Sequence, residues 1–135
     1  MSVTVTSRSA ENFQQAIHTG QESLISDMAE AHGGSGAAPA PFDLLLGAWG
    51  ACTNMTLQVY ARNKGWPLQQ VITTLEKSED DHQVSIRKKI QVRGELTTEQ
   101  VERLHRVAEK CPVHQFILGE RVERHITSEI EHLPD

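Results

Sequence analysis

Residues 41–52 read Pro-Phe-Asp-Leu-Leu-Leu-Gly-Ala-Trp-Gly-Ala-Cys, and this stretch decides the fold. Proline is preset for the first helical position, and the acidic Asp43 falls in the first turn, where its charge meets unpaired backbone amides. We predict a helix from Pro41 to about Lys64, because Gly65 follows and glycine commonly ends helices. The first half of this helix is apolar on every side, which is typical of a helix buried in a core or between subunits.

The segments on either side of this helix alternate between polar and apolar residues, as β-strands do. Before it, three short segments joined by turns predict an antiparallel meander. After it, two longer segments around an acidic turn predict a hairpin. A helix capped by Thr97 or Thr98 follows. If Thr98 is the N-cap, the residue three positions later is Val101, so a capping box is not expected. The predicted strands are Val3–Arg8, Phe13–His18, Ser23–Ser26, Val71–Lys77, Val84–Arg93 and a closing strand, Val122–Ile130.

A chain of 135 residues is the length of one domain, and we predict a single domain over residues 1–135. Antiparallel strands around one buried helix belong to the α+β class. The net charge of −5 argues against a nucleic-acid partner, because nucleic-acid-binding surfaces carry a dense basic face. The densest basic run, Arg87-Lys88-Lys89, is predicted to be exposed. Residues 32–39 are rich in glycine but lack the lysine of a phosphate-binding loop, so we interpret them as a mobile loop.

The start of the chain lacks the basic and apolar parts of a secretory signal, and we expect a cytoplasmic location. The longest apolar run, Leu44–Cys52, is too short to span a bilayer, so no membrane partner is expected. In a reducing compartment, the two cysteines are not expected to form a permanent structural disulfide. They are core residues, metal ligands or reactive thiols.

The residues around Cys52 and Cys111 predict different thiol pKa values for the two cysteines. Cys52 lies in the middle of the apolar helix, where burial raises a thiol pKa and keeps the side chain inert. Cys111 precedes Pro112, which ends one helix and begins another, with Cys111 at the N-cap of the second. Backbone amides at that end, with a lysine on one side and His114 nearby, are surroundings that lower a thiol pKa. Local chemistry therefore favours Cys111 as the thiolate.

A zinc site is an alternative interpretation of the same residues. Cys111 and His114 have the spacing of a ligand pair, and Cys52 and His32 could complete a set of four. Structural zinc sites usually combine two close pairs, and this sequence has only one. We therefore expect no metal.

Several motifs resemble those of the OsmC/Ohr family. Residues 41–53 resemble the Pro-x-Glu-Leu-Leu-x-Ala-Ala-x-x-Ala-Cys helix of that family, and residues 60–68 resemble its continuation. Residues 94–114, which end in Ala-Glu-Lys-Cys-Pro-Val-His, resemble its second cysteine helix. The resemblance implies an OsmC-like fold in which antiparallel sheets wrap around the central helices of an intertwined homodimer.

The resemblance also implies a function in stress defence, as a thiol-dependent peroxidase that reduces organic hydroperoxides without a metal, haem or other cofactor. By carry-over, Cys52 attacks the peroxide and becomes a sulfenic acid, Cys111 condenses with it to a disulfide, and an external dithiol reduces that disulfide. The family pairs an arginine with an acid near the first cysteine. Arg8 is the candidate arginine, while Phe42 stands at the position of the acid and Asp43 is the nearest carboxylate.

The phenylalanine at that position motivates a second hypothesis. A protein of the same fold could sense redox state or bind a hydrophobic small molecule without rapid peroxidase turnover. A thiol pKa of Cys52 above about 8 would favour this hypothesis.

Overall fold

The helix predicted from residues 41–52 is present and spans Pro41–Lys64 (α1). In a computed structural model, which describes residues 1–134, this helix carries the boundary between two compact units. The first unit is Met1–Ala48, and the second begins at Trp49. The single domain expected over residues 1–135 stays a prediction, because contacts within one chain do not test independent folding.

Three short strands form an antiparallel sheet in the first unit, which confirms the predicted meander. Each strand pairs only with its neighbour along the chain, so the sheet order is β1-β2-β3. The strands are β1 (Thr4–Ser7), β2 (Gln15–His18) and β3 (Ser23–Ser26).

Asp27 organises the glycine-rich segment that follows β3. Its buried carboxylate accepts the N–H of Met28 at 2.7 Å, the N–H of Ala37 at 3.0 Å and the hydroxyl of Ser35. These hydrogen bonds, that of Ser35 first, lower the pKa of Asp27. The segment that we interpreted as a mobile loop is therefore tied down by one buried carboxylate.

In the second unit, α1 packs on a long hairpin. The hairpin strands are β4 (Leu68–Glu79) and β5 (Val84–Gly94), paired antiparallel as predicted. A Cβ on Gly50 would lie 3.2 Å from Leu75 Cδ1, so the helix backbone approaches β4 closely. The buried stripe that faces this hairpin is Trp49, Gly50, Thr53, Leu57 and Ala61.

The other face of α1 is apolar but exposed in the single chain. Met55 is 62% exposed and Val59 is 60% exposed. The uniform apolarity of this helix therefore leads to burial on one side only within one chain.

Two further helices follow the hairpin, α2 (Thr98–Ala108) and α3 (Pro112–Leu118). The Thr97 hydroxyl accepts the N–H of Gln100 at 3.1 Å, and Gln100 Oε1 accepts the N–H of Thr97 at 2.9 Å. These two bonds form a capping box. The sequence-based expectation that the box is missing was wrong because it was counted from Thr98, one residue late. Below α2, the core of this unit contains Leu57, Leu104, Val107 and Ala108.

The predicted closing strand, Val122–Ile130, is not a strand in the described chain. Its apolar positions are exposed, with Ile126 at 81% and Ile130 at 98%. Alternation alone predicted this strand, but a strand also needs a neighbour to satisfy its backbone groups, and residues 1–134 supply none. Within the same residues, no helix combines the length and apolarity needed to cross a membrane.

Candidate active site

The turn of α1 that carries Cys52 lies at the edge of the buried stripe. Thr53, the next residue, is fully buried, whereas the Cys52 side chain is half-buried. Cys52 lies within the continuous helix Pro41–Lys64, and the Thr56 hydroxyl donates to the Cys52 carbonyl oxygen at 2.8 Å. The Cys52 side chain is therefore carried by α1 and remains partly exposed.

Cys111 is fully buried at the junction of α2 and α3, with a relative exposure of 0%. Pro112 opens α3, and the Cys111 carbonyl accepts the N–H of Gln115 at 3.0 Å, as expected for an N-cap residue. This arrangement confirms the predicted break between the two helices.

The fold brings the thiols of Cys52 and Cys111 together, although they are far apart in sequence. Both are free thiols, and each perturbs the pKa of the other. Burial raises the pKa of Cys52, and the neighbouring Cys111 raises it further. The two cysteines therefore form a pair in which Cys52 tends to keep its proton.

Cys111 has the opposite tendency. Burial opposes ionisation of its thiol, but the neighbouring Cys52 thiol first, then the backbone N–H of His114 and the nearby Thr53 hydroxyl, outweigh it and lower the pKa of Cys111. Of the two thiols, Cys111 therefore ionises more readily, and it is the cysteine that local chemistry favoured.

Lys88 is a site residue that sequence reasoning missed. The run Arg87-Lys88-Lys89 was predicted to be exposed; Arg87 and Lys89 are exposed, but Lys88 is half-buried. Charges on Cys111, then Cys52, act on the Lys88 ammonium. The signal that could have found it is strand alternation, since Lys88 shares its face of β5 with Ile86 and Ile90.

Two aromatic side chains complete the site. The rings of Trp49 and His114 are 5.5 Å apart, centroid to centroid, and Lys88 Nζ lies 5.3 Å from the centroid of the Trp49 ring. Within residues 1–134, Trp49 Nε1, His114 Nδ1 and Thr53 Oγ1 are buried without a hydrogen-bond partner. Burial, followed by the charge of Lys88, lowers the pKa of His114, so its imidazole is neutral at pH 7.

The remaining predicted site residues, Arg8 and Asp43, have partners of their own in the first unit. The Arg8 guanidinium donates to Gln14 Oε1 at 2.9 Å. The Asp43 carboxylate accepts the N–H of Ala40 at 3.1 Å, at the start of α1. Their roles near Cys52 stay predictions.

The structure, as described for residues 1–134, contains no ligand set for the zinc site considered above. Across the described positions 1–134, no three His, Cys, Asp or Glu side chains are grouped so that they could hold a metal ion. His32, which could have completed that alternative set, lies in the first unit, at the end of the short 3-10 turn Glu30–His32.

Comparison with known proteins gives one family. A model of the family described as OsmC-like protein matches residues 33–125. No curated protein sequence matches the chain.

Solved structures with this fold include three bacterial proteins. An osmotic stress induced and detoxification response protein of Psychrobacter arcticus has a TM-score of 0.74 at 22% identity, covering 89% of this chain and 90% of that one. The organic hydroperoxide resistance protein OsmC of Legionella pneumophila has a TM-score of 0.65 at 22% identity, covering 89% and 91%. The organic hydroperoxide resistance protein OhrB of Bacillus subtilis has a TM-score of 0.61 at 21% identity, covering 88% and 92%. At these identities the likeness shows a shared fold.

Proposed function

The chain belongs to the OsmC-like protein family, and from this premise we propose that it is a thiol peroxidase that reduces organic hydroperoxides. The observation that carries the proposal is the pairing of two free thiols, one buried with a lowered pKa and the other half-open. Two relatives of this fold are named as organic hydroperoxide resistance proteins, which supports the choice of substrate.

The different exposure of the two cysteines supports an assignment of roles. Cys111 is fully buried, so a hydroperoxide with an organic group reaches the half-open Cys52 first. Cys52 passes its proton to the Cys111 thiolate, and the new Cys52 thiolate attacks the outer peroxide oxygen. An S–O bond forms, the O–O bond breaks, and the alkoxide takes a proton from solvent and leaves as the alcohol.

The second half of the cycle uses the proton that Cys111 received. The Cys111 sulfur attacks the sulfenic sulfur of Cys52, an S–S bond forms, and the hydroxyl leaves with the Cys111 proton as water. An external dithiol then reduces the disulfide by thiol–disulfide exchange and is itself oxidised. This need for a reductant fits a reducing compartment such as the cytoplasm.

The polar atoms around the sulfurs support binding of the peroxide. The indole N–H of Trp49 lies one helical turn before Cys52, is buried and has no hydrogen-bond partner within residues 1–134. A buried donor of this kind stabilises an oxygen that approaches the Cys52 sulfur.

A steady-state assay tests the proposal. Consumption of cumene hydroperoxide with dithiothreitol should fall at least about 100-fold in Cys52→Ser, because the attacking sulfur is lost. Treated with one equivalent of hydroperoxide and no reductant, Cys111→Ser should stop at a sulfenic acid on Cys52, which dimedone labels and mass spectrometry locates. Gln58→Ser, on the exposed face of α1, is the matched control and should keep the wild-type rate.

Two outcomes would contradict these roles. Undiminished turnover in Cys52→Ser would remove Cys52 as the attacking group. A dimedone adduct on Cys111 of the Cys52→Ser variant would assign the attack to Cys111 instead.

The homodimer is part of the proposal. Met55 and Val59 form an exposed apolar face on α1, and the apolar residues of segment 122–130 are also exposed. A second copy of the chain would cover such surfaces and remove apolar area from water.

A second candidate function is binding of a hydrophobic small molecule, favoured by a cavity of about 520 Å³ in the first unit. Phe13, Met28, Pro41 and Phe42 are among its lining residues. Saturable binding of 1-anilinonaphthalene-8-sulfonate that is lost in Phe13→Asp but kept in the exposed control Val3→Asp would support this candidate. Absence of saturable binding to the wild type would remove it.

A further inference from the structure

The inward face of β5 carries one charged residue among apolar ones. Ile86, Ile90 and Val92 share this face with Lys88, and all four are half-buried. Burial lowers the pKa of Lys88 because it removes the ammonium from water. A charge in such a place needs compensation from nearby groups of opposite sign.

The packing of α1 on the hairpin places Lys88 next to the helical turn that contains Trp49 and Gly50, one turn before Cys52. Lys88 is directly opposite Leu75 in the strand register, and Gly50 packs against Leu75. Trp49, adjacent to Gly50, covers the lysine, with Nζ 5.3 Å from its ring centroid. One turn along from Trp49 come Cys52 and the buried Thr53.

The charged and titratable groups that face Lys88 come from three elements. Cys52 is on α1, Glu109 and Cys111 lie between α2 and α3, and His114 is on α3. Glu102 and His105 of α2 line a cavity together with Lys88. The negative charges act on Lys88 in the order Cys111, Cys52, Glu109. Because the imidazole of His114 is neutral at pH 7, Lys88 supplies the positive charge in this group. Glu120 acts on His114 and adds a further negative charge.

We propose that the Lys88 ammonium is the cation that holds the Cys52–Cys111 pair in its thiolate form. Lys88 is then a positioning residue, because it acts through the charge of the sulfurs and not on the peroxide. The proposal deepens the proposed function and rests on it, but its first consequence, the pH at which the pair ionises, can be measured without any peroxide.

The test compares the pH profile of thiolate formation in matched variants. Thiolate absorbance at 240 nm and the rate of alkylation by iodoacetamide are both recorded from pH 5 to 10. Lys88→Met should move the midpoint upward by about one unit or more and lower the alkylation rate at pH 7 about tenfold, because an adjacent opposite charge is lost. Lys88→Arg should restore the midpoint, and Lys89→Met, on the exposed face of the same strand, should leave it unchanged.

A reciprocal measurement leaves Lys88 in place and so avoids any folding defect of its variants. The Lys88 side chain is followed by carbon NMR in wild type and in Cys52→Ser/Cys111→Ser. Since thiolate charges raise the pKa of Lys88, the lysine should titrate at a lower pH in the double variant.

The outcomes separate this proposal from the peroxidase proposal. An unchanged thiolate midpoint in folded Lys88→Met, or an unchanged lysine titration in the double variant, would overturn the role of Lys88 even in an active peroxidase. A raised midpoint in a chain without peroxidase turnover would support Lys88 and overturn the proposed function instead.

Discussion

At the scale of single residues, two identical side chains acquire different chemistry from their surroundings. Cys111 is buried beside hydrogen-bond donors, and Cys52 is half-buried with few of them. Environments that move the pKa values of two titratable groups apart are a common basis for dividing acid and base roles. The pair thus has the asymmetry that a two-step thiol cycle requires.

The Thr53 hydroxyl offers a test of this asymmetry. It lowers the pKa of Cys111, so Thr53→Val should raise the pH midpoint of thiolate formation, because the buried hydroxyl beside the thiolate is replaced by an apolar methyl group. Absorbance at 240 nm measures the midpoint. Thr53→Ser keeps the hydroxyl and should stay near wild type; a Thr53→Val midpoint equal to that of wild type would contradict the assignment.

Asp27 predicts a stability effect in acid. Its hydrogen bonds, that of Ser35 first, lower the folded-state pKa of Asp27, so the stability it contributes is present above the unfolded value of 3.8 and is lost as pH falls through the folded value. Asp27→Asn should therefore unfold at a lower urea concentration at pH 7, and its difference from wild type should shrink below about pH 4. Asp81→Asn, in the exposed hairpin turn, is the control, and a difference independent of pH would contradict the prediction.

At the scale of elements, local signals explain which predictions succeeded. The prediction of a helix from Pro41 to about Lys64 was confirmed, because Pro41 and Gly65 act on the chain directly at its ends. Lys88 was missed because a run of three charges suggests solvent, whereas the pleat of β5 turns the middle one inward. The segment 122–130 was wrongly predicted as a strand. Its polar and apolar residues alternate as in a strand, but a strand also needs a partner strand, and alternation does not show whether one is present.

The capping box of α2 gives an element-scale prediction. Thr97→Ala removes the acceptor for the N–H of Gln100 and should lower the free energy of unfolding by about 1 kcal/mol. Urea denaturation with an unchanged m-value measures the loss. The neighbouring Thr98→Ala leaves the cap in place and should cost less; equal losses in the two variants would contradict the role of the box.

At the scale of the whole molecule, exposed apolar surface is the main unexplained property of the single chain. Met55→Glu places a charge in the middle of the exposed face of α1, so it should convert the proposed dimer to monomer, as measured by light scattering after size-exclusion chromatography. Gln91→Glu adds the same charge on the exposed face of β5, away from this face of α1, and should leave the mass unchanged. A wild type that already runs as a monomer would refute the dimer.

The meeting of Cys52 and Cys111 has a mechanical consequence as well as a chemical one. A disulfide between them would link the middle of α1 covalently to the junction of α2 and α3 and close a loop of about 60 residues. Closing this loop lowers the conformational entropy of the unfolded chain. For a loop of that length the oxidised protein should be more stable by about 4 kcal/mol. Its melting temperature would then report the oxidation state of the pair, and a thermal scan with and without reductant would show whether the cell's redox balance also sets the rigidity of this protein.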